Sequence, residues 1–317
     1  GSVLGIIEEG AVPVFCDCDD TLQPTAETVA ARITRRTKAV VVVHLAGYPA
    51  PADKIVRLCK AKGIGVVEDC AQSWGTKLRG RLVGTFGTAG AYSTNDFKHI
   101  STGDGGFVAL RDAALYRRVS NYSDKHYDRM FDRSQAQAHH GINYRMGELQ
   151  GAVAMAQLEK VNRITSRQHK IGEDLRARLA KLKGARIMRT LPGGYSTYWW
   201  TVLIVDRKAV PAGRDKVVEA LQAEGIACSS YGKYDLIQKP LFRTRNVRPW
   251  LKGKRRAYPF VQPDGRSYAY SLDDVPNHKR MLETAIMIQI GSYHTDRDVR
   301  ETAGGILKVF DVFAAPG

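Results

Sequence analysis

Lys98 lies in the string AYSTNDFKHISTGDGGFVAL (91–110), downstream of GIGVVEDCAQSWG (63–75). The first string places a lysine just past an apolar strand and before a turn containing Gly103, Gly105 and Gly106. The second places Asp69 at the end of another apolar run. An amine that can form an imine, with a carboxylate that can keep a pyridine nitrogen protonated, is what pyridoxal 5'-phosphate chemistry requires. To act as a base near neutrality, a lysine amine must fall from its free pKa of about 10.4 through burial or neighbouring positive charge. Ser93, at the end of the strand before Lys98, could give a hydroxyl to a phosphate. Taken singly, each residue has a plainer reading. A lysine is usually a solvated surface group, an aspartate after a strand is often a helix cap or metal ligand, and a serine there can be a turn hydroxyl.

The elements that would hold these groups follow from hydrophobic periodicity. AVPVFCDC (11–18) and AVVVVHL (39–45) read as buried strands, with TAETVAARITRRT between them as a helix. DKIVRLCKAK (53–62) reads as an amphipathic helix closed by Gly63. Strands follow at 65–69, 89–93 and 105–110. Apolar strands alternating with helices predict an α/β fold with a mostly parallel sheet covered on both faces. Ligands of such sheets bind beyond the carboxyl ends of the strands, where Asp69 and Ser93 fall. Residues 122–145 read as a long loop and a candidate functional one. Met146, Leu149, Val153 and Ala156, then Ile171, Leu175, Leu179 and Leu182, recur at helical spacing and are expected to pack in a core. Beyond them, 198–206 and 226–232 read as strands, 214–225 as a helix and 238–275 as loop. A terminal helix over 295–310 opens with Thr295 and Asp298 in capping-box spacing. The expected division is a large domain over 1–165 and a smaller α+β domain over 166–317.

Composition narrows the classes. The chain has 317 residues, 44% hydrophobic and 25% charged, with a formal net charge of +16. That suits a globular protein with a substantial core. No apolar run approaches the roughly 20 residues of a membrane span, so no membrane is expected as a partner. No zinc-finger spacing or RNA-recognition signature accompanies the basic charge, so no nucleic acid is expected either. Basic residues crowd RTRNVRPWLKGKRR (243–256). That stretch reads as a solvated loop or one that meets a phosphorylated substrate. The cysteines are Cys16, Cys18, Cys59, Cys70 and Cys228. An odd count without CxxC favours reduced thiols in the cytoplasm. His139 and His140 are adjacent and would point apart, so no metal is expected. No secretory leader opens the chain. The opening GSVLGIIEEGAVPVF reads as the interior of a longer protein or as a natural start behind a tag scar.

Together the strings resemble the DegT/DnrJ/EryC1/StrS family of sugar aminotransferases. The resemblance rests on ITRRTKAVVVVHLAGYPA (33–50), EDCAQSWG (68–75), YSTNDFKHISTGDGG (92–106) and GINYRMGELQGAVAMAQLEKV (141–161). It is strong to about residue 165 and looser beyond. It implies the PLP-transferase fold of the aspartate aminotransferase type. It also implies an amino group moved from glutamate or glutamine to a keto sugar, which would be nucleotide-linked. A keto-cyclitol acceptor, and a non-catalytic PLP-fold binding or regulatory protein, are the alternatives. On this resemblance Lys98 carries the cofactor, Asp69 pairs with the pyridine nitrogen and Gln72 lies near the phenolic oxygen. Ser93 binds the phosphate, and Asn143 reaches the phosphate of a neighbouring subunit in a homodimer. Tyr144 and Arg145 would support that crossing loop or simply pack. A branch of the family has histidine at the lysine position and performs deoxygenation. Counting from Ser93 places Lys98, not His99, at that position, which favours transamination. A Gly-Thr phosphate-binding turn and a ring-stacking aromatic, carried by the family ahead of the matched region, are expected to lie outside this sequence.

Overall fold

The computed structural model describes residues 1–129 and 139–315. Its backbone divides into two compact units. One comprises 38–167 with 193–197, and the other 1–37, 168–192 and 198–317. Two five-residue helices, α1 (Leu4–Glu8) and α2 (Ala26–Ala30), precede the first strand.

The 38–167 unit is built on a four-stranded sheet. Its strands are β1 (Ala39–Val43), β2 (Gly65–Asp69), β5 (Ala89–Ser93) and β6 (Gly106–Leu110), adjacent in that order. The β-branched run AVVVV forms β1 because such side chains pack well on a pleated surface. β1 and β2 run parallel with Val43 opposite Asp69, and β2 and β5 run parallel with Asp69 opposite Ala91. The β1–β2 crossover is α3 (Ala52–Lys60), which buries Ala52, Ile55 and Cys59 on one stripe. Gly63 ends that segment at φ +67°. The sheet is not wholly parallel, because β6 returns antiparallel to β5 with Ser93 opposite Gly106. Two short strands, β3 (Lys77–Leu78) and β4 (Arg81–Leu82), form a ribbon with β8 (Gly194–Tyr195). Helices α4 (Ala113–Ser123) and α5 (Glu148–Leu158) complete the unit, and α6 (Val161–Arg178) runs through its boundary. The predicted loop over 122–145 begins as the last turn of α4, and its central residues lie outside those described.

The second unit holds an antiparallel sheet of β7 (Ala185–Ile187), β9 (Thr201–Val205), β11 (Ala285–Ile288) and β10 (Cys228–Ser230). Its core gathers Ile171 and Leu175 of α6, and Leu179 just past its end, with Leu203, Leu221, Ile286, Ile306 and Phe310. The last of these lies on α10 (Asp296–Phe313), and Leu221 on α7 (Gly213–Ala223). Two further helices, α8 (Pro240–Thr244) and α9 (Pro276–Thr284), interrupt the 238–290 region. The capping box of α10 forms as its sequence predicts: Asp298 N–H donates to Thr295 Oγ1 at 3.2 Å, and Thr295 N–H to the Asp298 carboxylate at 2.7 Å.

Three expectations differ from the structure. Residues 11–18 form no strand beyond a bridge of Cys18 to Pro24. Pro13 has no N–H to give a ladder, and its carbonyl instead accepts the Tyr270 hydroxyl at 2.7 Å. Second, residues 1–37 group with the C-terminal half rather than with 38–165. Phe15 packs on Phe242 and Tyr270, Asp17 accepts the N–H groups of Asn277 and His278, and Asp20 pairs with Arg186 and Arg189. Third, Ile171, Leu175 and Leu179 are core as expected, but the α5 stripe is not, since Leu149 is 86% and Val153 46% exposed.

Candidate active site

The sheet of the 38–167 unit positions the predicted residues. Asp69 and Ser93 end neighbouring parallel strands. Asp69 stands opposite Ala91, and Ser93 lies two residues further on the same strand. Alternation along a strand therefore puts the carboxylate and the hydroxyl on one face of the sheet, at its carboxyl edge. The loop carrying Lys98 is pinned at its neck. Thr94 N–H donates to Gly105 O at 3.0 Å, Thr102 N–H to Thr94 O at 2.8 Å, and the two threonine hydroxyls meet at 2.7 Å. Inside this neck, Lys98 N–H closes a turn on Asn95 O at 3.0 Å. Burial pushes the Lys98 ammonium below its ordinary pKa, while the carboxylates of Asp69 and Asp96 draw it part of the way back. Lys98 therefore lies within electrostatic range of the Asp69 carboxylate.

Orientation of the smaller groups is set by backbone. One Asp69 carboxylate oxygen accepts Ala71 N–H at 3.0 Å. Gln72 Oε1 accepts Ala46 N–H at 2.8 Å, which leaves its Nε2 as the donor to offer a ligand. Ala46 sits at φ +58° in a buried turn after β1, and that turn aims its N–H at Gln72. Ser93 Oγ accepts Asn95 N–H at 3.2 Å, so its own proton can point outward. Asn143 stands on a different segment. It is exposed, bridges to Asp124 and accepts Arg145 Nε at 3.2 Å. Arg145 pairs with Asp124 at 3.1 Å, and Tyr144 is 74% exposed rather than packed. A hollow beside them is lined by Asn121, Asp124, Tyr127, Arg129 and Arg145, and Lys98 and Asp69 are not part of it.

Three features of the site were not read from the sequence. The first is Glu68, fully buried behind Asp69 on the opposite face of β2. Its carboxylate accepts N–H groups from Gly84 at 2.7 Å and from Phe86 and Gly87 at 2.6 Å, and meets His44 Nε2 at 3.0 Å. His44 Nδ1 accepts Ala50 N–H at 3.0 Å, so the Nε2 that meets Glu68 carries a proton. Burial alone would raise the Glu68 carboxyl. The hydrogen bonds from His44, Gly87 and Gly84 outweigh it and hold the group below the usual range. The second is Trp74, whose indole N–H donates to Ser93 O at 2.8 Å while its ring packs on Tyr92 and Phe107. The third is His99, buried and pushed down to about 4 by desolvation, and so neutral beside Lys98. The signal for the first was available. Adjacent acids on one strand must face opposite ways, and an acid turned into a core needs partners.

Pyridoxal phosphate presents a pyridine nitrogen, a phenolic oxygen, an aldehyde and a phosphate. The donor set at the carboxyl edge fits this: an acid for the nitrogen, an amide N–H for the oxygen, a depressed amine for the aldehyde and a hydroxyl for the phosphate.

Comparison with known proteins agrees with this geometry. A family profile described as the DegT/DnrJ/EryC1/StrS aminotransferase family matches residues 1–253. A GDP-perosamine synthase of Vibrio cholerae is 33% identical over 282 residues, covering 87% of this chain and 71% of that protein. A GDP-perosamine synthase of Escherichia coli O157:H7 is 34% identical over 212 residues, covering 64% of this chain and 55% of that protein. This chain therefore spans between 55% and 71% of the length of these two relatives. The solved aminotransferase from Psychrobacter cryohalolentis superposes with a TM-score of 0.83 at 26% identity, covering 98% of this chain and 78% of that one. The fold is that of the aspartate aminotransferase type, and the chain belongs to the DegT/DnrJ/EryC1/StrS aminotransferase family.

Proposed function

We propose that this protein is a PLP-dependent aminotransferase that moves an amino group from glutamate or glutamine to a nucleotide-linked keto sugar. The observation that carries the reading is the half-buried Lys98 amine, its pKa depressed, within the field of Asp69 at the carboxyl edge of the parallel β1–β2–β5 strands. The two perosamine synthases, each named for an amino-sugar nucleotide, support the nucleotide-linked acceptor.

The bound cofactor supplies an electron-accepting ring that carries the amino group from donor to acceptor. The chain's residues do the rest. Lys98 anchors the cofactor and, as a free amine, takes and returns a proton at its Nζ; desolvation raises its neutral fraction near pH 7. Asp69 holds a proton on the ring nitrogen, which keeps the ring an electron acceptor. Gln72 Nε2 donates toward the phenolic oxygen, and the Ser93 hydroxyl binds the phosphate. His99, neutral at working pH, adds no second positive charge beside Lys98.

A homodimer completes the reading, with Asn143 serving the phosphate of the neighbouring subunit. The exposed apolar side chains of α5, namely Leu149, Val153, Met155 and Leu158, support it, because so many exposed apolar side chains on one short helix ordinarily mark a covered surface. A cytoplasmic setting suits the five free thiols. Among the described residues no helix is long and apolar enough to cross a membrane.

Incubation of the protein with pyridoxal phosphate should give a visible absorbance band that Lys98→Ala abolishes. Added glutamate should then yield an amino sugar by mass spectrometry against a panel of nucleotide-linked keto sugars and keto-cyclitols. A band that survives Lys98→Ala would end the assignment, and amination of the cyclitols alone would move it to the other substrate class.

A further inference from the structure

The basic stretch 243–256 is a closed finger rather than a diffuse loop. Val247 N–H and Arg248 N–H both donate to Arg256 O, at 3.1 and 3.0 Å, and Leu251 N–H turns back onto Arg248 O at 2.9 Å. Its base is fixed by side chains. Arg256 Nε donates to Asn246 Oδ1 at 2.6 Å, and the Arg248 guanidinium lies 5.7 Å from the centre of the Tyr258 ring. Below it, Phe242, Phe260 and Tyr270 form an aromatic cluster with Phe15. At the tip, Trp250 is 75% exposed, flanked by exposed Pro249 and half-buried Leu251. Lys252, Arg255 and Arg256 are exposed around it. Half of the string RTRNVRPWLKGKRR is Lys or Arg, and none of it is acidic.

A rigid base, an inserted-type aromatic and a ring of cations complement one surface chemistry, an anionic lipid interface. Tryptophan prefers the headgroup boundary, and each nearby Lys or Arg adds attraction to acidic lipids. Single-stranded nucleic acid calls for a series of stacking platforms, and the finger has one aromatic. The lack of a spanning segment, which argued against a membrane partner, does not bear on a surface contact. We propose that the finger docks this protein on anionic bilayer surfaces, with Trp250 as the inserting side chain.

The test is flotation of the full chain with vesicles of phosphatidylcholine plus phosphatidylglycerol against vesicles of phosphatidylcholine alone. Binding is expected only to the acidic vesicles, falling away at high salt because the attraction is screened. The double change Arg255→Glu with Arg256→Glu should weaken it by at least about thirtyfold, and separately Trp250→Ala by about tenfold. Trp250→Ala removes an exposed side chain and should leave the melting temperature unchanged, so it stands as the decisive variant if the charge reversal misfolds. The tryptophan emission should shift to the blue on acidic vesicles, and this shift should vanish in Trp250→Phe. No flotation at low salt, flotation unchanged in Trp250→Ala, or tighter binding of an RNA oligomer through the same residues would each overturn the proposal.

Discussion

Glu68 and Asp69 are neighbouring acids with opposite tasks. Asp69 faces the edge where a ligand would sit, while Glu68 faces inward and gathers three backbone N–H groups and the Nε2 of His44. Removing that acceptor leaves buried donors without a partner, at about 1–3 kcal/mol for each group not rescued. Glu68→Gln should therefore lower unfolding free energy by roughly 2–4 kcal/mol in urea titrations at neutral pH. The amide keeps one acceptor oxygen but turns two donors toward other donors. The sign of the pH dependence follows from the depressed carboxyl. The folded pKa lies below the ordinary value of 4.5, so the stabilisation is present in full above that value and is lost as pH falls through the folded pKa. Wild type should thus lose more stability than Glu68→Gln between pH 6 and strongly acid solution, and the two denaturation curves should converge there. A constant gap at all pH values would mean that the Glu68 charge contributes nothing. Among individual residues, the places of Asp69 and Ser93 at strand ends were legible, because those strands are short-range patterns. The inward turn of Glu68 was legible from its place beside Asp69, but its partner amides at 84–87 are a tertiary fact.

Elements show where local pattern suffices and where it fails. The strands at 39–43, 65–69 and 89–93, and the helix closed by Gly63, were readable because β-branched runs and helical spacing are short-range signals. The run at 11–18 has the same composition, yet its partners lie some 250 residues away in Phe242 and Tyr270, which no local window can see. The α5 stripe has the correct period but the wrong destination, since periodicity reports a covered face without saying what covers it. The turn at Gly84 carries the opposite lesson, that one residue type can be dictated by several elements together. Its φ is +83°, and an added Cβ would lie 2.3 Å from Tyr92 Oη and 2.8 Å from Cys70 Sγ. The Tyr92 hydroxyl cannot simply withdraw, because it donates to Val83 O at 2.6 Å. Gly84→Ala should consequently cost about 2–4 kcal/mol, from backbone strain and overpacking together. A matched Gly80→Ala, also at positive φ but with open space around its Cβ, isolates the backbone share. If the two variants melt alike, the packing half of the argument fails.

At the scale of the whole molecule, the proposed homodimer would divide the residues of one cofactor between two chains. Lys98, Asp69, Gln72 and Ser93 share the edge of one sheet, whereas the recorded partners of Asn143 are Asp124 and Arg145 on another segment. If Asn143 serves a second subunit, damage to Lys98 and damage to Asn143 must be separable between chains. Lys98→Ala and Asn143→Ala should each be nearly inactive as pure proteins. Mixed and allowed to exchange subunits, they should recover activity, because half of the sites in each hybrid dimer draw Lys98 and Asn143 from undamaged copies. Random pairing makes about half of the dimers hybrids, so recovery should approach about a quarter of the wild-type rate. Leu149→Glu, which charges the exposed stripe of α5, should abolish that recovery and shift the protein to monomer in light scattering, since a buried unpaired carboxylate costs several kcal/mol. Mixtures that stay inactive while dimers persist would place both residues in one chain's own site, and the division of labour between subunits would have to be abandoned.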